Sequence, residues 1–144
     1  ILSRDAPKQG LMLYWLYYYF NRHVGKWVLE LDGTAPYHVP SDKGLAGPLT
    51  PVLGTLSEDG RTIHLVIANG SATRAVPCSV ALRNFDAATA AGVTLSQRDL
   101  DAHPLVNRTE DAVGALRVEL APPGAAFTVP PQSVVFVSLR RAAG

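Results

Sequence analysis

The groups able to do acid–base, metal or nucleophilic chemistry in this 144-residue chain are few and scattered. Its glutamates are Glu30, Glu58, Glu110 and Glu119, each on the polar position of a strand pattern or in a turn-forming stretch. Cleavage by a carboxylate pair needs two carboxyls converging on one bond, one of them with a pKa raised by an apolar setting. Nothing in the spacing of these four brings that about, so they read as solvated charges. His23, His38, His64 and His103 are far apart in sequence, and no two stand at i and i+4. The single cysteine, Cys78, is near none of them, which argues against a zinc site. Ser133 lacks the Gly-x-Ser-x-Gly elbow of a hydrolase nucleophile, and "GLAGP" at 44–48 lacks the Lys-Ser/Thr of a phosphate loop. The segment from Asp99 to Asp111 carries Asp101, Asn107 and Glu110 as oxygen donors of the kind calcium takes. Its spacing matches no EF-hand, and it reads as a polar connection. Aromatic rings are the chemistry that remains: Trp27, Tyr37 and Tyr14 are candidate platforms for the C–H faces of a sugar. The plainer reading of Trp27 is packing within the apolar face of its strand. The expectation is a chain with no catalytic residue, no metal and no cofactor.

What must position these residues is one helix and a set of strands. "LMLYWLYYYF", residues 11–20, holds six of the eleven aromatic residues and no charge. Ten uncharged residues fall short of the roughly 20 that span a bilayer, and Asn21, Arg22 and His23 close the run. Asp5 as a cap, Pro7 in the first turn and Gly25 as a stop predict a helix over 8–23. On a helical projection Met12, Leu13, Leu16 and Phe20 share one side, Tyr14, Tyr17, Tyr18 and Asn21 another, and no side is fully polar. A helix beside a small sheet needs one apolar stripe. An all-round apolar helix therefore implies packing on two sides, with Met12, Leu16 and Phe20 on this chain's sheet and the other partner outside the chain.

After Gly25 the period changes to two. Trp27, Leu29 and Leu31 alternate with polar or outward positions, as do Ile63, Leu65 and Ile67, and Val76, Cys78, Val80 and Leu82, so each set should line one sheet face. Asp59-Gly60 and Asn69-Gly70 supply turn residues that predict a three-stranded meander over 52–83. Further strands are expected at 93–97, 116–120, 126–129 and 134–139, with Pro122-Pro123 and Pro130-Pro131 ending ladders. The fold class that follows is mainly β: an antiparallel, jelly-roll-like β-sandwich preceded by one N-terminal helix.

Composition narrows the partners. A net charge of +1 without a run of like charge leaves no footprint for nucleic acid or for a membrane surface. One cysteine excludes a disulfide framework and reads as a small core residue. Residues 1–10 lack the pattern of a signal peptide, and location stays open between cytoplasmic and secreted. Ten arginines against three lysines suggest a GC-rich bacterial genome, which makes the sequons at Asn69 and Asn107 coincidental.

The order of features resembles the C-terminal segment of family 51 glycoside hydrolases, the α-L-arabinofuranosidases, from the last helix of the catalytic (β/α)8 barrel through the β-sandwich. The aromatic helix leads through "NRHVGKWVLEL" to "TAPYHVP"; "GTLSEDGRTIHLVIANGSATRAVPCSVAL", "VTLSQRDLDAHPLVNRTEDAV" and "FTVPPQSVVFVSLR" follow. The closing motif is shared by the sandwich appendages of several barrel glycosidases, so xylanases, glucanases and xylosidases stay open. The resemblance implies residues 1–24 as the last barrel helix and 25–144 as the sandwich, with the two catalytic glutamates lying upstream. It implies a non-catalytic support for a barrel that acts on arabinose-containing plant polysaccharides. The barrel of the parent chain would be the partner, polysaccharide a further one, and the aromatic helix a surface for oligomerisation. The alternatives are an independent carbohydrate-binding module and a sandwich that binds protein alone.

Overall fold

The computed structural model describes residues 12–33, 38–39, 47–48, 50–96 and 113–142. Helix α1 spans Met12–Arg22. The strands described are β1 (Trp27–Val28), β2 (His38–Val39), β3 (Gly47–Pro48), β4 (Val52–Leu56), β5 (Thr62–Asn69), β6 (Val76–Ala81), β7 (Thr89–Ser96), β8 (Val113–Leu116), β9 (Val118–Ala121), β10 (Gly124–Val129) and β11 (Ser133–Arg140). They form a six-stranded antiparallel sheet in the order β1-β4-β5-β11-β7-β8, a three-stranded antiparallel sheet β6-β10-β9, and the small pair β2-β3. The chain is thus mainly β, a helix followed by a sandwich, as its patterning predicts.

The two larger sheets enclose an aliphatic core, because the alternation on β5 and β11 turns every second side chain to the same side. Ile63, Leu65 and Ile67 on β5 and Val135, Val137 and Leu139 on β11 meet Ala125, Phe127 and Val129 of β10. Cys78, Val80 and Leu82 pack against that cluster from β6 and the residue after it, so this apolar set does share a face. Burial pushes the Cys78 thiol up, which disfavours the thiolate and leaves the residue inert.

Two expectations need correction. The 52–83 segment is not one meander: β4 and β5 form a hairpin, but β6 pairs with β10 in the other sheet, and the free side of β5 is taken by β11. Asn69 is the reason the chain leaves the first sheet. Rather than turning a hairpin it is buried, its Nδ2 donating to the carbonyls of Arg74 (2.8 Å), Pro130 (3.0 Å) and Val129 (3.2 Å) while its Oδ1 accepts from the Ser71 N–H. It ties the end of β5 to the end of β10. The second correction concerns Trp27, Leu29 and Leu31. Leu29 packs on the core, yet Trp27 and Leu31 are 56% and 48% exposed. β1 is the edge strand of a six-stranded sheet whose facing layer has three strands, so the core does not reach it.

Turn chemistry accounts for the rest. Gly60 takes φ +68, with Asp59 accepting from Ser57 Oγ and the Arg61 N–H. The run at 116–120 is broken at Arg117: β8 belongs to the large sheet and β9 to the small one, so the chain changes layer within one residue. Pro122 and Pro123 occupy the turn from β9 to β10. Here Gly124 is obligatory, since a Cβ on it would lie 1.8 Å from the Val80 carbonyl oxygen.

Candidate functional site

The strongest accumulation of unusual side chains lies where α1 crosses the outer face of the large sheet. Alternation puts Val134, Phe136, Ser138 and Arg140 of β11 on that face, opposite Ala68, Val66, His64 and Thr62 of β5 and opposite Leu95, Val93, Ala91 and Thr89 of β7. Phe136 is fully buried there, under the rings of Tyr19 (5.8 Å between centroids) and His23 (5.4 Å). Leu16 borders a shallow apolar cleft of about 260 Å³ with Leu95, Val134 and Asn69. Leu16, Tyr19 and His23 are thus the docking positions, at i, i+3 and i+7. Phe20, expected on this face, is instead 38% exposed. One helical position separates it from Tyr19, and that rotation of about 100° decides which ring meets the sheet.

Past the helix the chain drops onto β4. The Gly25 N–H donates to Thr55 Oγ1 at 2.8 Å, and a Cβ on Gly25 would lie 2.3 Å from the Leu56 carbonyl oxygen, so only glycine permits this descent. Lys26 then pairs with Glu58 and also stands over the Trp27 ring, 5.6 Å from its centroid.

Two histidines that are 41 positions apart in sequence meet at this crossing. The His23 and His64 rings are 5.8 Å apart and nearly perpendicular. His23 Nδ1 is 2.9 Å from the Tyr19 carbonyl oxygen; a carbonyl only accepts, so this nitrogen carries a proton. His64 Nδ1 is 3.0 Å from Ser138 Oγ. Burial, then the neighbouring His23 and Arg140, push His64 below the ordinary histidine range, against a weak opposing pull from Asp59. The sequence signal that could have found this pair is the outward position of His64 on a strand whose other face is aliphatic. The pair lacks a third group: among the described residues no cluster of three or more His, Cys, Asp or Glu side chains can hold a metal.

About 100° round the helix a second stripe runs Leu13, Tyr17 and Phe20, continued past the helix end by Val24, with exposures of 50%, 54%, 38% and 37%. This spacing is that of a helix seam made for a second packing partner. Round the rest of the helix Tyr14, Trp15 and Tyr18 form a cluster with Tyr19. Tyr14 is edge-on to Trp15 at 5.1 Å and stacked on Tyr18 at 6.2 Å, and the Arg22 guanidinium caps Tyr18 at 4.2 Å. Trp15 Nε1 is buried and has no hydrogen-bond partner among the described residues. Among the described residues, α1 is not long and apolar enough to cross a membrane.

The other candidates fare as follows. Trp27 is exposed at the sheet edge, Tyr14 is half-buried within the aromatic cluster, and Tyr37 lies outside the described residues, as do His103, Glu110 and the Asp99–Asp111 segment. Glu30, Glu58 and Glu119 are exposed; Glu58 pairs with Lys26 and Glu119 with Arg117 at 2.8 Å. Asp59 is held below the usual carboxylate range by Ser57 and the Arg61 N–H, the reverse of what a general acid needs. Ser133 Oγ donates to the Pro130 carbonyl at 2.7 Å, a structural bond at the head of β11. Among the described residues the geometry offers docking surfaces and no reactive constellation.

No protein-family model matches the sequence, and no curated protein matches it. Solved structures do. The fold is similar to part of the GH51 α-L-arabinofuranosidase of Thermotoga petrophila RKU-1, with a TM-score of 0.63 and 15% identity over 83% of this chain and 27% of that one. The arabinofuranosidase of Thermotoga maritima gives 0.61 and 16% over the same shares. A GH30 xylanase C catalytic domain from Talaromyces cellulolyticus gives 0.58 and 12%, over 89% of this chain and 24% of that one. The chain spans about a quarter of the length of each of these three proteins. At identities this low the likeness shows a shared fold alone, over a minor part of each larger glycoside hydrolase chain.

Proposed function

We propose that this chain is the non-catalytic C-terminal portion of a glycoside hydrolase of the arabinofuranosidase type, acting on arabinose-containing plant polysaccharides. Residues 1–24 would then be the last helix of a (β/α)8 barrel and 25–144 the sandwich that supports it. The observation that carries this is α1 itself, seated on the sheet by Leu16, Tyr19 and His23 while Leu13, Tyr17, Phe20 and Val24 stay bare on another side. A helix of an outer barrel ring needs two such apolar stripes, one toward the barrel and one toward the appended layer. The fold likeness supports the same reading, since the matched part is about a quarter of each enzyme compared.

The catalytic carboxylates in this reading belong to the barrel. Retaining glycosidases place two carboxyl groups about 5 Å apart, and the glutamates described here are exposed and engaged with basic neighbours or solvent. The purified chain should hydrolyse no nitrophenyl arabinofuranoside above background; turnover would overturn the assignment. The reading frame upstream of residue 1 is the second test: an encoded barrel with two strand-end glutamates supports the proposal, and a promoter in its place refutes it.

A second reading, an independent carbohydrate-binding module, is favoured by one finding, the exposure of Trp27 on an edge strand. Retention of the chain on insoluble arabinoxylan, lost in Trp27→Ala, would select it.

A further inference from the structure

The crossing of α1 over the large sheet contains a titratable contact that the barrel reading does not use. We propose that the His23–His64 contact is an acid-sensitive latch: while His64 is neutral the last turn of α1 stays on the sheet, and a proton on His64 releases the helix without unfolding the sandwich. The device belongs to contacts within this chain and stands whether or not a barrel adjoins it.

The geometry makes a proton on His64 costly. Both rings are half-buried and lie against or beside the buried Phe136, 5.8 Å from one another, and among the described residues few groups can answer a positive charge there. From α1, Arg22 is turned to Tyr18, and the Tyr19 carbonyl already receives His23 Nδ1. From β4, the Thr55 hydroxyl oxygen is occupied by the Gly25 N–H. From β11, Ser138 meets His64 Nδ1, and Arg140 adds a further positive charge; from β7, Ala91 stands opposite Ser138 and carries none. Among the described residues the one carboxylate acting on His64 is Asp59, which sits in the exposed turn and is committed to Ser57 and Arg61. An imidazolium at His64, with Arg140 beside it and the His23 ring packed against it, is therefore poorly answered at the helix–sheet junction, and separating the elements is the available relief.

The sandwich is spared because its inner face holds no titratable group at the same strand positions: Ile63, Leu65 and Ile67 on β5 and Val135, Val137 and Leu139 on β11 are all aliphatic. The sign follows from linkage. A histidine whose folded pKa is depressed binds more protons when released, so docking is complete above the ordinary value of about 6.5 and is lost as pH falls through the lowered folded value.

The test uses the Trp27→Phe chain, so that Trp15 is its one tryptophan. Trp15 emission and the amide resonances of Leu65 and Val137 are followed from about pH 8 to about pH 5, the range in which histidine changes charge. The expected result is a red shift of Trp15 with a midpoint below about 6.5 while both sandwich amides keep their native positions. The shift should vanish in His64→Gln and in His23→Gln. Should His64→Gln fail to fold, His23→Gln on the helix carries the test alone. A flat Trp15 response, the same midpoint in the His23→Gln chain, or amides that move together with Trp15 would overturn the latch.

Discussion

The two faces of the large sheet are built from the same strands and by opposite rules. On the inner face β5 and β11 present aliphatic side chains from Ile63 to Ile67 and from Val135 to Leu139, closed by β10 with Phe127 and Val129, with the buried polar Asn69 and Ser133 only at the strand ends. On the outer face the same strands present His64, Ser138, Arg140 and a single buried ring, Phe136, covered by an aromatic helix. Aliphatic contacts are non-directional and sum over area, whereas rings and hydrogen bonds hold only one arrangement. The inner face makes the fold; the outer face makes a joint, firm in one geometry and sensitive to its chemistry.

Five substitutions sharpen or break that contrast. Phe136→Ala should have the largest effect, about 3–5 kcal/mol, because it empties the centre of the outer face under Tyr19 and His23. Thermal unfolding followed at Trp15 should show the loss before it is seen in the strands; simultaneous loss at both would make the outer face part of one cooperative core. On the inner face Leu65→Ala should cost about 2–4 kcal/mol in urea, with strand and helix signals falling together. Asn69→Ala should follow at about 2–3 kcal/mol, since it strands the Arg74 and Pro130 carbonyls that its amide serves. A value near zero would mean that water replaces the amide and that the bond between the layers is dispensable. The smallest effect belongs to Tyr17→Ser and Phe20→Ser, within about 0.5 kcal/mol for this chain, because these rings meet solvent here. Their cost should appear only in the presence of whatever covers them.

The inner face was the legible part. Strict alternation at Ile63, Leu65 and Ile67, and at Val76, Cys78 and Val80, announces a buried strand face because the side-chain period of a strand is fixed at two. What alternation omits is the extent of the facing layer, so Trp27 and Leu31, identical in pattern to buried positions, lie beyond the three-stranded sheet and stay exposed. Nor does it tell which sheet a strand joins: Asn69-Gly70 reads as a hairpin turn until Asn69 is seen spending its amide on carbonyls of the other layer. That the helix carries apolar side chains beyond its docked side was legible from the absence of a polar face, but its rotation was not, since Tyr19 and Phe20 are both large aromatic residues in sequence. His23 and His64 were invisible as a pair because a contact between elements 41 residues apart leaves no trace in spacing.

The place of β11 between β5 and β7 has a consequence for how the chain is made. A ribosome delivers the β4–β5 hairpin and strand β7 long before the strand that joins them, so the two halves of the large sheet wait, each with an open ladder edge of unpaired N–H and C=O groups. During that interval the nascent chain has every means of pairing with a neighbour on the same message. A stop codon that removed the stretch after Pro131 would leave the chain permanently in that condition, with each edge a template and nothing of its own to fill it.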